Sequence, residues 1–597
     1  MPETTQNERY SNRKSAPLTA PRPVSILTVV CTLMGMLALV AGAVYLLKTN
    51  LATGRWQQSY NPTGRWWLST ILAALPVIVL LGAMAILRLK AHVSAVIGLA
   101  TALLIAIAAY HMPVRLALTT TVYGAGYGLF PICWIILPVI FLYQLTVKTG
   151  WFAALQESVS SITDDGRLQL LLIAFALGAF MEGAGGFGAP VAVCGAILIS
   201  LGFRPIQAAG LALIANTAPV AFGSLGIPII ALHGVTGQDV RLLSNVIAVI
   251  LVPFCVLVPF WLVWIYAGFR GMVEVWPALL VGGGTFAVTQ CAVAVYVGPG
   301  LVDIAASTAT MVVLIVFFRF WKPKRVLNAR GEDITASVRV RTGQSATATF
   351  HAWVPWLTLS VLVFAWGIPG FSHWMDANTS ISLPVAGLHN IVQRVPPVAT
   401  TAEAAVFNLN WLAASGTGIL VAAVLAGFLM GLGPVALVRA FAHTVFSVRF
   451  TMMTIAAMLS LGFVMRYCGL DATLGLAFAR TGVLYPFFGT LIGWVGTATT
   501  GSDTASNVVF GSLQQVTARQ IGVSQVLMAS ANSAGGVMGK MIAAPSIVVA
   551  STATETYGQE GTILRFVFWH SLALAALVGV FVFLLAYVAP FTGLAGK

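Results

Sequence analysis

The stretch Met181-Glu-Gly-Ala-Gly-Gly-Phe-Gly-Ala-Pro190 interrupts a long apolar run with one carboxylate and a glycine-rich bend. Apolar residues lead into it from Leu168 and out of it to Leu201, and no other charged residue lies between Arg167 and Arg204. A carboxylate is costly in hydrocarbon, and glycine-rich backbone at that depth leaves N–H and C=O groups without partners. Both are tolerated only inside protein or at a polar cavity. The stretch therefore predicts a re-entrant hairpin whose tip forms part of a solute-binding site.

The same bend matches the G-x-G-x-x-G fingerprint of dinucleotide-binding proteins at Gly183, Gly185 and Gly188. That match has weight only after a short strand in a soluble βαβ unit, with an acidic residue about twenty positions downstream. Here the flanks are long apolar runs, and the next charged residue is Arg204. We therefore predict no nucleotide and no other cofactor.

The composition is that of a polytopic, all-α membrane protein, because 58% of the residues are hydrophobic and only 8% are charged. The net charge of +14 comes mostly from loops between apolar spans, which indicates membrane topology rather than a nucleic-acid partner. The six cysteines lie in apolar segments at irregular spacing, so we predict neither disulfides nor a metal site.

The chain divides into five predicted parts. They are a disordered polar tail (1–24), an extra N-terminal transmembrane anchor (25–47), the first half of a transporter (48–318), a basic cytoplasmic linker (319–352) and the second half (353–597).

Two polar connections predict the sidedness of the chain. Arg319–His351 carries seven Lys/Arg residues, whereas Phe371–Asn410 has Arg394 as its single Lys/Arg residue. One apolar run separates the two connections, so the first is expected in the cytoplasm and the second outside.

An internal repeat relates residues 113–235 to residues 434–550. An offset of about 317 residues recurs, in order, at three pairs of landmarks: Gly183 and Gly501, Asn216 and Asn532, Pro228 and Pro545. Counting crossings from the cytoplasmic linker places the two glycine-rich bends on hairpins that begin on opposite sides. The expected fold therefore has two inverted repeats, each with a re-entrant hairpin and a broken transmembrane helix, which is typical of secondary transporters.

The bends and the broken helices supply the expected substrate site. Free N–H groups at helix breaks bind a carboxylate, and Ser, Thr and Asn side chains suit a hydroxyl group, so a small hydroxy- or keto-acid anion fits. The candidate substrate-binding residues are Gly183, Gly185, Gly186, Gly188, Asn216, Thr217, Thr500, Ser502, Thr504, Ser506, Asn532, Ser533 and Lys540. We expect Asn216 and Asn532 to lie in the helix breaks, where they either contact substrate or only satisfy backbone groups.

Glu182 and Asp503 are the candidate proton-coupling residues, one at each bend. Ser and Thr flank Asp503 and can hydrogen-bond its ionised form, so we expect it to stay charged. Glu182 lies between an apolar residue and a glycine, with no evident local partner, and is the preferred proton carrier. Alternatively, one of the two carboxylates only caps a hairpin helix.

Three further features have open or minor roles. Lys540 is a substrate counter-ion, a partner of Asp503 or a side chain that snorkels to the membrane surface. Snorkelling is also the preferred interpretation of Arg466, and contact with an anion is the alternative. No role is assigned to Gly298–Ile304, because Gly300 stands where the family resemblance described next implies an acidic residue.

At these residues the chain resembles the bacterial L-lactate permease family, which includes glycolate permeases. The matching blocks are Trp56–Pro62, Gly178–Pro190, Ala209–Gly223, Thr500–Gln515 and Ala531–Met541. The resemblance implies proton-coupled uptake of L-lactate, D-lactate or glycolate across the bacterial inner membrane, and it leaves the oligomeric state open.

Two other functions compete with this one. A sodium-coupled carboxylate carrier of similar build would hold the ion on unwound carbonyl groups beside Asn216 and Asn532. A membrane enzyme is disfavoured, because the sequence has no nucleophile–base pair or metal-ligand set. A channel-like sensor is disfavoured, because an ungated channel does not need two matched hairpins.

Overall fold

The computed structural model describes residues 54–595, apart from 86, 88, 161, 185, 187, 336–345, 368, 399 and 557–558. The expected polar tail (1–24) and transmembrane anchor (25–47) lie outside the described residues.

Helices dominate the first half of the chain. They are α1 (Trp66–Ala85), α2 (Ala91–Ala108), α3 (Val114–Tyr127), α4 (Trp134–Lys148), α5 (Trp151–Ser160), α6 (Gly166–Ala184), α7 (Ala189–Ser200), α8 (Pro205–Ala215), α9 (Gly223–Thr236), α10 (Val240–Glu274), α11 (Trp276–Tyr296) and α12 (Val302–Phe320).

The second half adds further helices and most of the short strands. The helices are α13 (Ala346–Gly367), α14 (Pro369–Thr379), α15 (Ser415–Leu429), α16 (Pro434–Cys468), α17 (Leu470–Phe478), α18 (Tyr485–Thr500), α19 (Asp503–Gln520), α20 (Gln525–Gly539), α21 (Ala544–Ala553) and α22 (Glu560–Tyr587). Strands β1 (Trp56–Gln57) and β3 (Val392–Gln393) pair in parallel, and β2 (Ile381–Pro384) pairs antiparallel with β4 (Val406–Leu409).

Within the described residues, ten helices are long and apolar enough to cross a membrane, or up to twelve if each of two bent pairs counts as one span. The all-α, polytopic fold class is thereby confirmed.

Both glycine-rich bends form turns between consecutive helices. The first turn joins α6 to α7, and Gly188 there has a φ of 87°. The second joins α18 to α19 through Gly501, with a φ of 75°. Residues with a Cβ rarely adopt these left-handed conformations, which explains why glycine occupies both positions.

The two bent pairs are the expected broken helices. Helices α8 and α9 are bent by 61°, and α20 and α21 by 44°. The first break lies between Ala215 and Val220 and contains Pro219, and the second lies between Ile542 and Pro545. The missing N–H and the ring of a proline disrupt the helix on its N-terminal side. Before Pro228, three consecutive residues (224–226) have positive φ, and before Pro545 the helix breaks at Lys540–Ile542.

The two asparagines of the repeat differ in their local structure. Asn216 follows the last residue of α8, as expected, but Asn532 lies inside α20, so the expectation of a break at Asn532 is wrong. Pro219 follows Asn216 at three residues and ends the helix, whereas Gly535 holds the equivalent position after Asn532 and lets it continue.

The base of each hairpin packs against a different polar connection. The N–H of Gly166 donates to the carbonyl of Leu327 at 2.7 Å, at the first hairpin. At the second, Gln520 Nε2 donates to the carbonyl of Pro397 at 3.1 Å. Helix α13 separates these two connections along the chain. The inverted relation of the halves stays a prediction, which this packing favours.

Arg466 is held in an ion pair, so the expectation that it snorkels is wrong. Its Nη2 lies 2.9 Å from Glu403 Oε2, and its Nη1 donates to the carbonyl of Val235 at 2.8 Å. Burial raises the pKa of Glu403, but the charges of Arg466 and Arg394 outweigh that effect and hold the pKa below its ordinary value. The hydrogen bond from Arg466 to the carbonyl of Val235 ties α16 to the end of α9.

Candidate functional site

A cavity of about 400 Å³ lies where the two hairpin tips meet. Gly188 lines it from the first tip, residues 500–505 from the second, and Ser224 and Lys540 from the two helix breaks. Helix α16 forms another wall. This volume falls in the range of roughly 300–1,000 Å³ that is common for small-molecule sites. The cavity is therefore lined by elements from both halves of the chain.

Glu182 has partners that its sequence neighbours do not reveal. Its Oε1 lies 3.5 Å from Lys540 Nζ, and Asn216 Nδ2 donates to its Oε2 at 3.1 Å. Both partners are distant in sequence, so the sequence neighbours of Glu182 give no sign of them. The positive charge of Lys540 also acts on Asp503, so this ammonium group serves both tips.

Asp503 is surrounded by neutral hydrogen-bond donors. Ser533 Oγ donates to its Oδ2 at 2.5 Å, Asn507 Nδ2 donates to the same oxygen at 3.2 Å, and Thr497 Oγ1 donates to Oδ1 at 3.4 Å. Asp503 also lies in the first turn of α19, where the helix dipole favours negative charge. These donors offset part of the cost of burying a charged carboxylate.

The predicted substrate-binding residues separate into two groups. Those that line the cavity, together with Glu182 and Asp503, are Gly188, Thr500, Ser502, Thr504 and Lys540. Those that lie behind the lining, within the described chain, are Gly183, Gly186, Asn216, Thr217, Ser506, Asn532 and Ser533. Gly185 lies outside the described residues. Direct contact of any of them with substrate stays a prediction.

Asn532 supports the second hairpin rather than the cavity wall. Its Nδ2 donates to Asn507 Oδ1 at 3.0 Å. Asn507 Nδ2 in turn donates to Asp503 and to the carbonyl of Pro228, at 3.2 Å in each case. Because Pro228 belongs to α9, these bonds tie the second hairpin to the broken helix of the first half.

Sequence reasoning missed Ser224 and Asp303. Ser224 lines the cavity with a φ of 47°, and the signal for it was Pro228, four residues later. Asp303 is 1% exposed and packs against Gly183, where an added Cβ would approach the Cβ of Asp303 to 2.6 Å. Its signal was an acidic residue in an otherwise apolar run.

Residues 69–589 match the family model described as L-lactate permease. The chain belongs to this family. The glycolate permease GlcA of Escherichia coli (strain K12) is 44% identical over 556 residues, which cover 90% of this chain and 99% of that protein. The L-lactate permease of the same strain is 43% identical over 545 residues, 89% of this chain and 98% of that protein. The L-lactate permease of Bacillus subtilis (strain 168) is 43% identical over 559 residues, 89% and 99% of the two chains.

This permease is therefore a multi-pass membrane transporter and not an enzyme, and the inner membrane of bacteria is its expected location. Among solved structures, the match to the YdaH transporter of Alcanivorax borkumensis covers 78% of this chain and 87% of that protein's chain, with a TM-score of 0.41 at 14% identity. The match to MtrF of Neisseria gonorrhoeae covers 78% of this chain and 83% of that protein's chain, with a TM-score of 0.40 at 14% identity. Both likenesses are too weak to define the fold.

Proposed function

We propose that this permease takes up small 2-hydroxymonocarboxylates, namely L-lactate, D-lactate and glycolate, together with protons. The observation that carries the proposal is the position of Lys540 in the cavity, within 3.5 Å of Glu182 and close enough to act on Asp503. An incoming carboxylate is a direct competitor of Glu182 for this ammonium group. The relatives named L-lactate permease and glycolate permease support this choice of substrates.

The neighbouring polar groups suit the rest of such a substrate. The first turn of α19 has backbone N–H groups without intrahelical partners, and Ser502 and Thr504 line the cavity beside them. Hydroxyl side chains both donate and accept, so they can bind the 2-hydroxyl group. We assign carboxylate binding to Lys540 and the helix N-terminus, and hydroxyl recognition to Ser502 and Thr504.

Charge balance calls for one coupling cation per anion, and the carboxyl groups of the site favour the proton. With Glu182 and Asp503 ionised and Lys540 protonated, these three groups sum to one negative charge, and a bound anion adds a second. Charge in a water-poor cavity is costly. One proton per anion keeps the total constant, and the carboxyl groups of Glu182 and Asp503 are suited to bind it.

Uptake into proteoliposomes tests the function. Radiolabelled L-lactate, D-lactate and glycolate are supplied in sodium-free buffer, with the outside acidified, with and without a protonophore. We expect accumulation that the protonophore abolishes. Accumulation that requires a sodium gradient instead would establish the sodium-coupled alternative, and no uptake of any of the three acids would refute the substrate class.

A further inference from the structure

A third carboxyl group lies beside the first hairpin tip and has no part in the function above. Asp303 is in the first turn of α12 and is 1% exposed. Neither of its carboxyl oxygens has a hydrogen-bond partner among the residues that the structure describes. The hydroxyl of Ser307 donates to the backbone carbonyl of Asp303 instead.

Asp303 and the hairpin are in direct contact. A Cβ added to Gly183 would lie 2.6 Å from the Cβ of Asp303 and 3.2 Å from the backbone N of Ile304, so no side chain larger than hydrogen fits there. Glu182 directly precedes Gly183 in the chain, and its negative charge acts on Asp303. The start of α12 is therefore packed against the residue that follows Glu182, close enough for the two carboxyl groups to interact through their charges.

The surroundings of Asp303 disfavour its ionised form. Within the described chain, the titratable groups that interact with it are Glu182 of α6 and the Cys255 thiol of α10, and neither is a cation. Lys540 is engaged by Glu182. The start of a helix does favour negative charge, but that effect is small beside the cost of burying a carboxylate without donors. A neutral carboxylic acid is the form that fits.

We propose that Asp303 and Glu182 form a carboxyl pair that binds the coupling proton, and that the proton lies on Asp303 while Glu182 is paired with Lys540. Two neighbouring carboxyl groups in low-dielectric surroundings do not both ionise, so the pair takes up one proton. One O–H bond forms when the pair binds a proton from water on one side, and that bond breaks on release to water on the other. The proposal rests on the proton-coupled function proposed above and adds a residue to it.

The test compares Asp303→Asn with wild type and with Thr310→Ala in the full-length permease. Thr310 is a matched control, since it is buried on the same helix and its hydroxyl donates only to the helix carbonyl of Ala306. A gradient of one pH unit supports at most about tenfold accumulation per coupled proton. We expect Asp303→Asn to lose this accumulation while lactate exchange at equal pH stays near the wild-type rate. Thr310→Ala should keep both.

Each outcome is decisive for one of the two proposals. If wild type does not accumulate any of the three acids, the proposed function fails. If wild type accumulates lactate and Asp303→Asn does so equally, the carboxyl pair is overturned and the proposed function stands. Asparagine has nearly the shape of a neutral aspartic acid. A variant that does not fold would therefore also contradict a neutral Asp303.

Discussion

The two hairpin tips hold their carboxylates in different ways. Glu182, at the first tip, is paired with Lys540, which belongs to the other half of the chain. Asp503, at the second tip, receives hydrogen bonds from Ser533, Asn507 and Thr497, all within its own half. A movement of one half against the other therefore changes the surroundings of Glu182 more than those of Asp503. Glu182 is suited to sense the conformational state, whereas Asp503 keeps the same hydrogen-bond donors throughout.

Removing the shared cation should have the largest effect. We expect Lys540→Met to lower lactate uptake at least a hundredfold, because breaking a buried ion pair from one side costs about 3–5 kcal/mol. Uptake is measured in proteoliposomes, with the membrane level determined by immunoblot. The double variant Lys540→Met/Glu182→Gln should recover its membrane level but not its transport. Normal uptake by Lys540→Met would show that the cation does not serve the site.

Neutralising each carboxylate separately should reveal the difference between the tips. Glu182→Gln is expected to lose acid-driven accumulation while still exchanging lactate across the membrane. The accumulation that is lost is about tenfold for each pH unit and each coupled proton. Asp503→Asn is expected to lose both activities, because an amide cannot replace the charge that orders three donors. Accumulation by Glu182→Gln against a gradient would contradict this division of roles and make Asp503 the candidate.

Removing one donor from Asp503 should have the smallest effect. A hydrogen bond to a charged group contributes about 1.5–3 kcal/mol, and Asn507 and Thr497 remain in Ser533→Ala. We expect a lower melting temperature of the purified protein and a moderately raised KM for uptake. Ser530→Ala is the matched control, since that buried hydroxyl on the same helix has no hydrogen-bond partner within the described chain. Equal effects of the two variants would indicate general destabilisation of α20.

Local features of the chain were predictable because their causes are local. The glycines at the tips and the prolines of the broken helices act on backbone within a few residues, so the turn near Gly188, the turn at Gly501 and the two bends follow from the sequence. Asn532 shows the limit of analogy between repeats. A glycine in place of a proline three residues later is enough to extend the helix.

Contacts between distant segments were not predictable in the same way. No pattern near Glu182 reveals Lys540, since the two meet only after both halves have packed together. Asp303 carried a usable signal, a charge in an apolar run, but its position at a helix start resembles an ordinary loop boundary. Arg466 likewise resembled a surface residue because its partner Glu403 lies in a separate connection.

The ion pair between Glu182 and Lys540 also constrains how the protein is made. The ribosome synthesises Lys540 about 360 residues after Glu182, a delay on the order of 20–70 s at roughly 5–20 residues per second. During that interval the first hairpin has been synthesised while the counter-ion of Glu182 does not yet exist. Glu182 must therefore wait in protonated form, or with its hairpin held near the membrane surface, until the second half is inserted.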